Sequence, residues 1–119
     1  MTYVDGFVAP VPKDKIEAYR EMSEMAGKVW REHGALAYVE CIADDVPEGK
    51  TTDFYRAVKR EPGETVAFAY AVYESREHRG AVHAKVMADP RLKEDMDPAR
   101  MPFDTKRMFW GGFKPIVEL

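Results

Sequence analysis

Residues 65–73, read as TVAFAYAVY, constrain the fold of this chain more than any other stretch. Their composition and spacing predict a β-strand. Val66, Phe68, Tyr70 and Val72 then share one face, and Ala67, Ala69 and Ala71 the other. Neither face carries a polar side chain. A strand of this kind needs cover on both sides, so whatever sheet contains it must be packed against something above and below.

The remaining segments supply part of that cover. Residues 3–9 read as a strand, with Tyr3, Asp5 and Phe7 on one face, ended by Pro10 and Pro12. Asp14 and Glu17 have the spacing of a capping box. After it Ile16, Tyr19, Met22, Ala26, Val29 and Trp30 recur at helical spacing, predicting a helix over 13–33 that Gly34 stops. Residues 35–43 read as a second strand, with Leu36, Tyr38, Glu40 and Ile42 on one face. Residues 44–50 form a polar loop, and Thr52 is the expected cap of a short helix holding Phe54, Ala57 and Val58. Beyond the apolar strand, Ser75 caps a helix reaching about residue 88. Asp89-Pro90 opens a short one. A loop over 97–104 leads into a last strand, 106–113.

The order β-α-β-(short α)-β-α-β predicts one α+β domain over 1–119, of ferredoxin-like βαββαβ type. Its four-stranded antiparallel sheet carries both long helices on one face. The other face of residues 65–73 is left bare. A second copy of the same chain is the simplest cover, which predicts a homodimer.

The chain has 119 residues and a net charge of −3. A mildly acidic chain argues against nucleic acid as a partner, because phosphate binding needs clustered Lys and Arg. The longest apolar run, 66–73, is far short of the roughly 20 residues that span a bilayer, so no membrane partner is expected. The first residues read as lacking a secretory signal, and the single cysteine, Cys41, has no intrachain partner for a disulfide. The expected compartment is the cytoplasm.

With the elements placed, the chain resembles the YbaA-like family of small bacterial proteins, a domain family of unknown function. The resemblance covers nearly the whole chain. It is carried by Tyr3-Val4-Asp5-Gly6-Phe7, Gly34-Ala35-Leu36, Val39-Glu40-Cys41, Asp45-Val46-Pro47, Gly49-Lys50, Thr52-Asp53-Phe54 and Ala57-Val58-Lys59. Later come Asp89-Pro90-Arg91, Met101-Pro102-Phe103-Asp104, Lys106-Arg107-Met108 and Gly111-Gly112-Phe113. It implies the dimeric α/β-barrel superfamily, in which two ferredoxin-like sheets pack face to face. Relatives there include cofactor-free monooxygenases, haem-degrading enzymes, dye-decolourising peroxidases and small-molecule-binding modules, among which fold alone does not choose.

Candidate chemistry comes from a few residues. Asp5 and Glu40 are acids in strands that otherwise read as apolar. Their expected partners are Lys106, Arg107, Lys50 or Arg56. Such a group is either a polar cluster lining a pocket, with one carboxyl as general base, or an ion pair at the sheet edge or dimer interface. Cys41 is a candidate nucleophile, but a strand cysteine is more often a small buried hydrophobe. In the segment Met101-Pro102-Phe103-Asp104, Phe103 is expected to anchor the loop and Asp104 to hold Arg107 or Lys106. Trp110, Trp30, Tyr38, Phe68 and Tyr70 line either an aromatic pocket or simply a core. His33 ends a helix and suits a capping role. His78 and His83 diverge by about 140° on a helix and do not pair on one metal, with haem ligation by a single histidine the weaker alternative. Gly111-Gly112 lacks the context of a phosphate loop and fits a close backbone approach. No cofactor or metal motif is read. The leading expectation is a small-molecule site, a closed apolar cavity of roughly a few hundred Å3 between sheet and helices, with cofactor-independent oxidation as a possible chemistry. The second is a non-catalytic interaction or stress-associated dimeric module, in which Asp5, Glu40, Lys106 and Arg107 join the subunits. RNA association is the third, which the acidic charge disfavours.

Overall fold

The computed structural model describes residues 1–95 and 97–119. One antiparallel sheet contains β1 (Tyr3–Pro12), β2 (Ala37–Ile42), β3 (Glu64–Tyr73) and β4 (Phe109–Phe113) in the spatial order β2-β3-β1-β4. The helices are α1 (Ile16–Glu32), α2 (Phe54–Ala57), α3 (Arg76–Ala88) and α4 (Pro90–Asp95). This is the predicted ferredoxin-like arrangement. Among the described residues no helix is long and apolar enough to cross a membrane.

Register explains the layering. Asp5, Phe7 and Ala9 of β1 sit opposite Ala71, Ala69 and Ala67 of β3, and Tyr38, Glu40 and Ile42 of β2 sit opposite the same three alanines. That face meets the helices. Its core joins Val29 and Trp30 of α1 to Val82 and Val86 of α3, Leu92 of α4, and Ala71 and Tyr73 of β3. The alternate positions point the other way: Val4, Gly6 and Val8; Val39 and Cys41; Phe68, Tyr70 and Val72; Phe109, Gly111 and Phe113. The same alternation puts Glu64 on this side, where it is buried against Arg107. The short α2 lies on this side, where Phe54 meets Phe68 edge-on at 6.4 Å, and the adjoining Val58 is fully buried. The rest is open: Phe68 is 43%, Phe109 45% and Phe113 62% exposed. The shortest extent of the molecule is 20 Å, the thickness of two layers packed about 10 Å apart.

Several boundaries depart from the sequence reading, each for a local reason. Pro10 and Pro12 do not end β1, which pairs with β3 as far as Pro12 opposite Glu64. β4 pairs only with Val4 to Val8, so further along that edge of β1 is free and a missing N–H interrupts no ladder. Asp14 makes no cap. It sits inside a 3-10 turn, Lys13–Lys15, and α1 begins at Ile16 without a side-chain cap. α2 is capped by Asp53 rather than Thr52, its carboxylate accepting from Arg56 N at 2.7 Å and Gly49 N at 2.9 Å. β4 starts at Phe109, not Lys106, because Asp104 folds the preceding residues into a turn by accepting from Lys106 N at 3.0 Å. Ser75 caps α3 as predicted, accepting from His78 N.

Gly34 stops α1 with φ +117°, and a Cβ there would meet His78 Nε2 at 3.2 Å and Val82 Cγ2 at 3.5 Å. Gly80 lies on the exposed surface of α3 with nothing near its missing Cβ. Gly34→Ala is therefore expected to lower stability by about 1–2 kcal/mol in urea unfolding, whereas Gly80→Ala raises it by about 0.5–1 kcal/mol.

Candidate functional site

The candidate site forms where α1 crosses β2. Tyr38 and Glu40, two apart on β2, both face the helix. Tyr19 and Ser23, one turn apart on α1, face the strand. The alanines opposite Tyr38 and Glu40 leave room beneath them for these groups. Glu40 Oε2 accepts from the Tyr19 hydroxyl at 2.7 Å, and Oε1 accepts from the Tyr38 hydroxyl at 2.9 Å. Burial pushes the Glu40 pKa up, and the hydrogen bonds from the two phenols and the nearby Ser23 hydroxyl pull it back only in part. Burial, then the charge of Glu40, pushes both phenols well above the ordinary tyrosine value, so they remain donors.

Two spaces meet at this carboxylate. A partly open apolar cavity of about 80 Å3 lies behind it, walled by Phe7, Met22, Trp30, Phe103 and Met108. A groove of about 440 Å3, bounded by Ile16, Arg20, Ser23, Glu24, Cys41 and Ile42, opens in front. Tyr19, Tyr38 and Glu40 line both. The cavity is both smaller and less closed than the sequence reading expects, and the Tyr19 ring packs edge-on against Phe103 at 5.5 Å within its walls. Gly27 makes the arrangement possible, since a Cβ there would lie 2.7 Å from Cδ1 of Tyr38.

Asp5 belongs to a different centre. It is fully buried and held by Arg79 Nη2 at 2.9 Å and His83 Nε2 at 2.9 Å. His83 Nε2 is also 3.3 Å from the Tyr73 hydroxyl, which accepts from Trp30 Nε1 at 3.0 Å. This network joins the sheet to α1 and α3. Neither acid uses the partners expected from sequence, and Asp5 and Glu40 do not come together. Both face the helices. Lys106 and Arg107 precede β4, and Arg107 turns to Glu64 and the Lys59 carbonyl, on the side where α2 lies.

Arg107 instead forms a fork with Glu64, at 2.6 and 2.7 Å, while its Nε donates to Asp104 at 3.0 Å. The Arg107 hydrogen bonds hold the Glu64 carboxyl below its usual range. Phe103 is buried, so the expected anchoring of this loop is present. Lys106 and Lys50 are exposed. Arg56 reaches the Gly49 carbonyl and Asp53 within its own loop, remote from Glu40 in the hydrogen-bond network. Cys41 is exposed in the single chain rather than buried, because its strand position faces the uncovered side, opposite Phe68. Trp110 is 53% exposed beside His83 and Arg79, outside the cavity walls. Phe68 and Tyr70 likewise belong to the open face. His33 ends α1 and pairs with Asp89 at 2.9 Å, a carboxylate that Arg91 and His33 together hold far below its usual pKa. His78 accepts from Glu74 N at 2.9 Å. Gly112 allows the close approach of Tyr3 that its lack of a side chain suggests. Sequence reasoning missed Tyr19 and Ser23 as partners of Glu40, and Arg79 and His83 as partners of Asp5. Tyr19 and Ser23 share one helical face, the only local signal available.

Glu40 carries a sign that can be checked. Its folded pKa lies above the ordinary glutamate value, so between the two values the folded chain binds more of a proton than the unfolded one. The contribution of this group is therefore complete below the unfolded pKa and is lost as pH rises through the folded one. Glu40→Gln is expected to remove that decline in thermal denaturation followed from acid to neutral pH. Retention of the full decline in the variant would assign it to another group.

The fold and this geometry can be set beside known proteins. Uncharacterized protein YbaA of Escherichia coli strain K12 is 53% identical over 118 residues, covering 99% of each chain. A putative antibiotic biosynthesis monooxygenase from Nitrosomonas europaea superposes with a TM-score of 0.56 at 17% identity, over 97% of this chain and 90% of the other. SnoaB, a cofactor-independent oxygenase from Streptomyces nogalater, superposes with a TM-score of 0.52 at 16% identity, over 99% of this chain and 94% of the other. At such identities these two structures establish the shared ferredoxin-like fold. Residues 2–105 match the family model described as protein of unknown function DUF1428, and the chain belongs to that family.

Proposed function

We propose that the chain works as a homodimer, packed open face to open face, in which each subunit binds a small, flat, largely apolar molecule between α1 and β2. The observation that carries the binding reading is the Glu40 carboxylate, oriented by two phenols at the junction of an apolar cavity and an open groove. Ligand sites are commonly built this way, from apolar walls with a few convergent polar groups.

The same carboxylate suits proton abstraction. A carboxylate whose pKa is raised by burial is a stronger base than one on the surface, and its two donors fix where its free lone pairs point. In this reading Glu40 takes a proton from an acidified CH2 group of a bound aromatic substrate. The electron-rich carbanion that remains is oxidised by molecular oxygen, and the proton leaves in water. The net change is CH2 + O2 → C=O + H2O, which balances without a cofactor on the protein. The structural likeness to an oxygenase described as cofactor-independent supports the class of chemistry. The choice of base comes from this chain's own geometry.

The dimer rests on the open sheet face. A largely apolar surface on which Phe68, Phe109 and Phe113 stand exposed, with its Glu64 paired to Arg107, supports an interaction site there. Pairing two such faces leaves both Glu40 grooves clear, since they lie on the helix side.

Two outcomes are expected. Planar aromatic compounds should stabilise the protein in thermal denaturation, by roughly 2.7 kcal/mol at about 100 times the dissociation constant. Among them a substrate should consume oxygen, and Glu40→Gln should retain the binding and lose the consumption. No stabilisation by any planar aromatic compound would remove the binding reading. Separately, Phe68→Asp should convert the native dimer to a folded monomer in sedimentation velocity, and an unchanged dimer would place the interface elsewhere.

A further inference from the structure

The cavity behind Glu40 is too small for the aromatic body assigned to the groove. An engineered apolar cavity of roughly 150 Å3 takes benzene, and this one offers about 80 Å3. Its chemistry also disfavours water, which needs roughly two to four polar partners when buried. The donors in the wall are already spent. The Tyr19 and Tyr38 hydroxyls donate to Glu40, and Trp30 Nε1 donates to Tyr73. Glu40 keeps acceptor capacity, but it stands where the cavity meets the groove. The rest of the wall includes Phe7, Met22, Phe103 and Met108, with the methyl groups of Ala9 and Ala67.

A hole of this kind is unusual. Protein cores are close-packed, and an unfilled cavity lowers stability. Here larger side chains at two positions would fill it. Ala9 and Ala67 lie opposite each other on β1 and β3, both are buried, and each gives the space only a methyl group. The methionines add flexible, polarisable thioethers, which make dispersion contacts with a small apolar guest. What fits is a very small molecule with no charge and no hydrogen bonds to satisfy. The reaction proposed at Glu40 consumes one such molecule, dioxygen.

From this we infer that the cavity is a binding site for molecular oxygen, held by dispersion against Met22, Phe103 and Met108. Glu40 divides two reactants, with the aromatic molecule in the groove and oxygen behind the carboxylate. No group in the wall has to coordinate the gas. The cavity keeps it beside the carbon from which Glu40 removes a proton. The use made of the oxygen rests on the proposed reaction, whereas its binding rests on the cavity alone.

Oxygen is paramagnetic and speeds the NMR relaxation of methyl groups it sits beside. The test compares methionine and valine methyl groups of the native protein under pressurised oxygen and under nitrogen. Met22, Met101 and Met108 line the cavity and are expected to relax several-fold faster under oxygen. Two sets of methyl groups serve as references: Met1 and Met87, which are exposed, and Val82 and Val86, which are buried in the other core cluster. Xenon, an inert apolar guest, should suppress the excess in the native protein. Ala67→Ile, which extends a side chain into the cavity, should remove most of it, with unshifted Val82 and Val86 signals showing that the variant is folded. Cavity methyl groups that relax no faster than either reference set would overturn the inference, because oxygen would then only be dissolving throughout the protein. An excess that survives xenon, or that survives a folded Ala67→Ile, would overturn it too. If planar aromatic compounds stabilise the protein but the cavity shows no excess, the oxygen site alone fails. If the excess is present but no planar aromatic compound binds, the oxygen site stands and the groove reading fails.

Discussion

The structure depends on the unlike faces of β3. On one side Ala67, Ala69 and Ala71 keep the sheet surface low, and the helices, with the rings of Tyr19, Tyr38 and Trp30, settle onto it. On the other side Phe68, Tyr70 and Val72 stand out from the sheet with only α2 beginning to cover them. Exchanging the two sets would fill the space where Glu40 and its partners sit and would flatten the outer surface. One strand thus sets both the room for a site and the demand for a partner, through apolar burial acting on each face separately.

That division also separates polar roles. Every polar group that matters for the site is on the helix side. There burial is deep enough to shift a pKa but incomplete enough to leave a way in. The outer side is largely aromatic, and Glu64, its charged strand position, is buried and paired with Arg107, so what stays open there suits non-directional association. The two buried acids illustrate how environment decides use. Asp5 is enclosed by a cation, a histidine and a packed sheet, and its bonding capacity is spent on holding α3 against β1. Glu40 has only neutral donors and stands beside open space, so it keeps capacity for another molecule.

Much of the architecture was legible in the sequence because local patterns carry it. The alternation over residues 65–73, the Ser75 cap and the positive φ at Gly34 each follow from a few adjacent side chains. Tyr38 and Glu40 could be placed on one face by counting along a strand. The partners could not be read this way. Arg79 and His83 reach Asp5 across 74 and 78 residues of chain, and Tyr19 reaches Glu40 across 21. Nothing in their spacing marks them, because the contact exists only once the sheet order is fixed. The same limit explains Pro10 and Pro12, whose tolerance depends on β4 stopping at Val8. It explains Cys41 as well, whose exposure depends on which sheet face goes uncovered within one chain.

The most direct test of the account is the size and shape of the native particle in solution, measured by small-angle X-ray scattering over a range of concentrations. The account predicts twice the 13.6 kDa chain mass. It also predicts a nearly isometric particle, the 20 Å axis doubling to about 40 Å beside extents of 38 and 36 Å, as expected for four stacked layers roughly 10 Å apart. A well-folded particle of single-chain mass at high concentration, as thin as one subunit, would contradict it, because β3 would then remain stable with one apolar face in water.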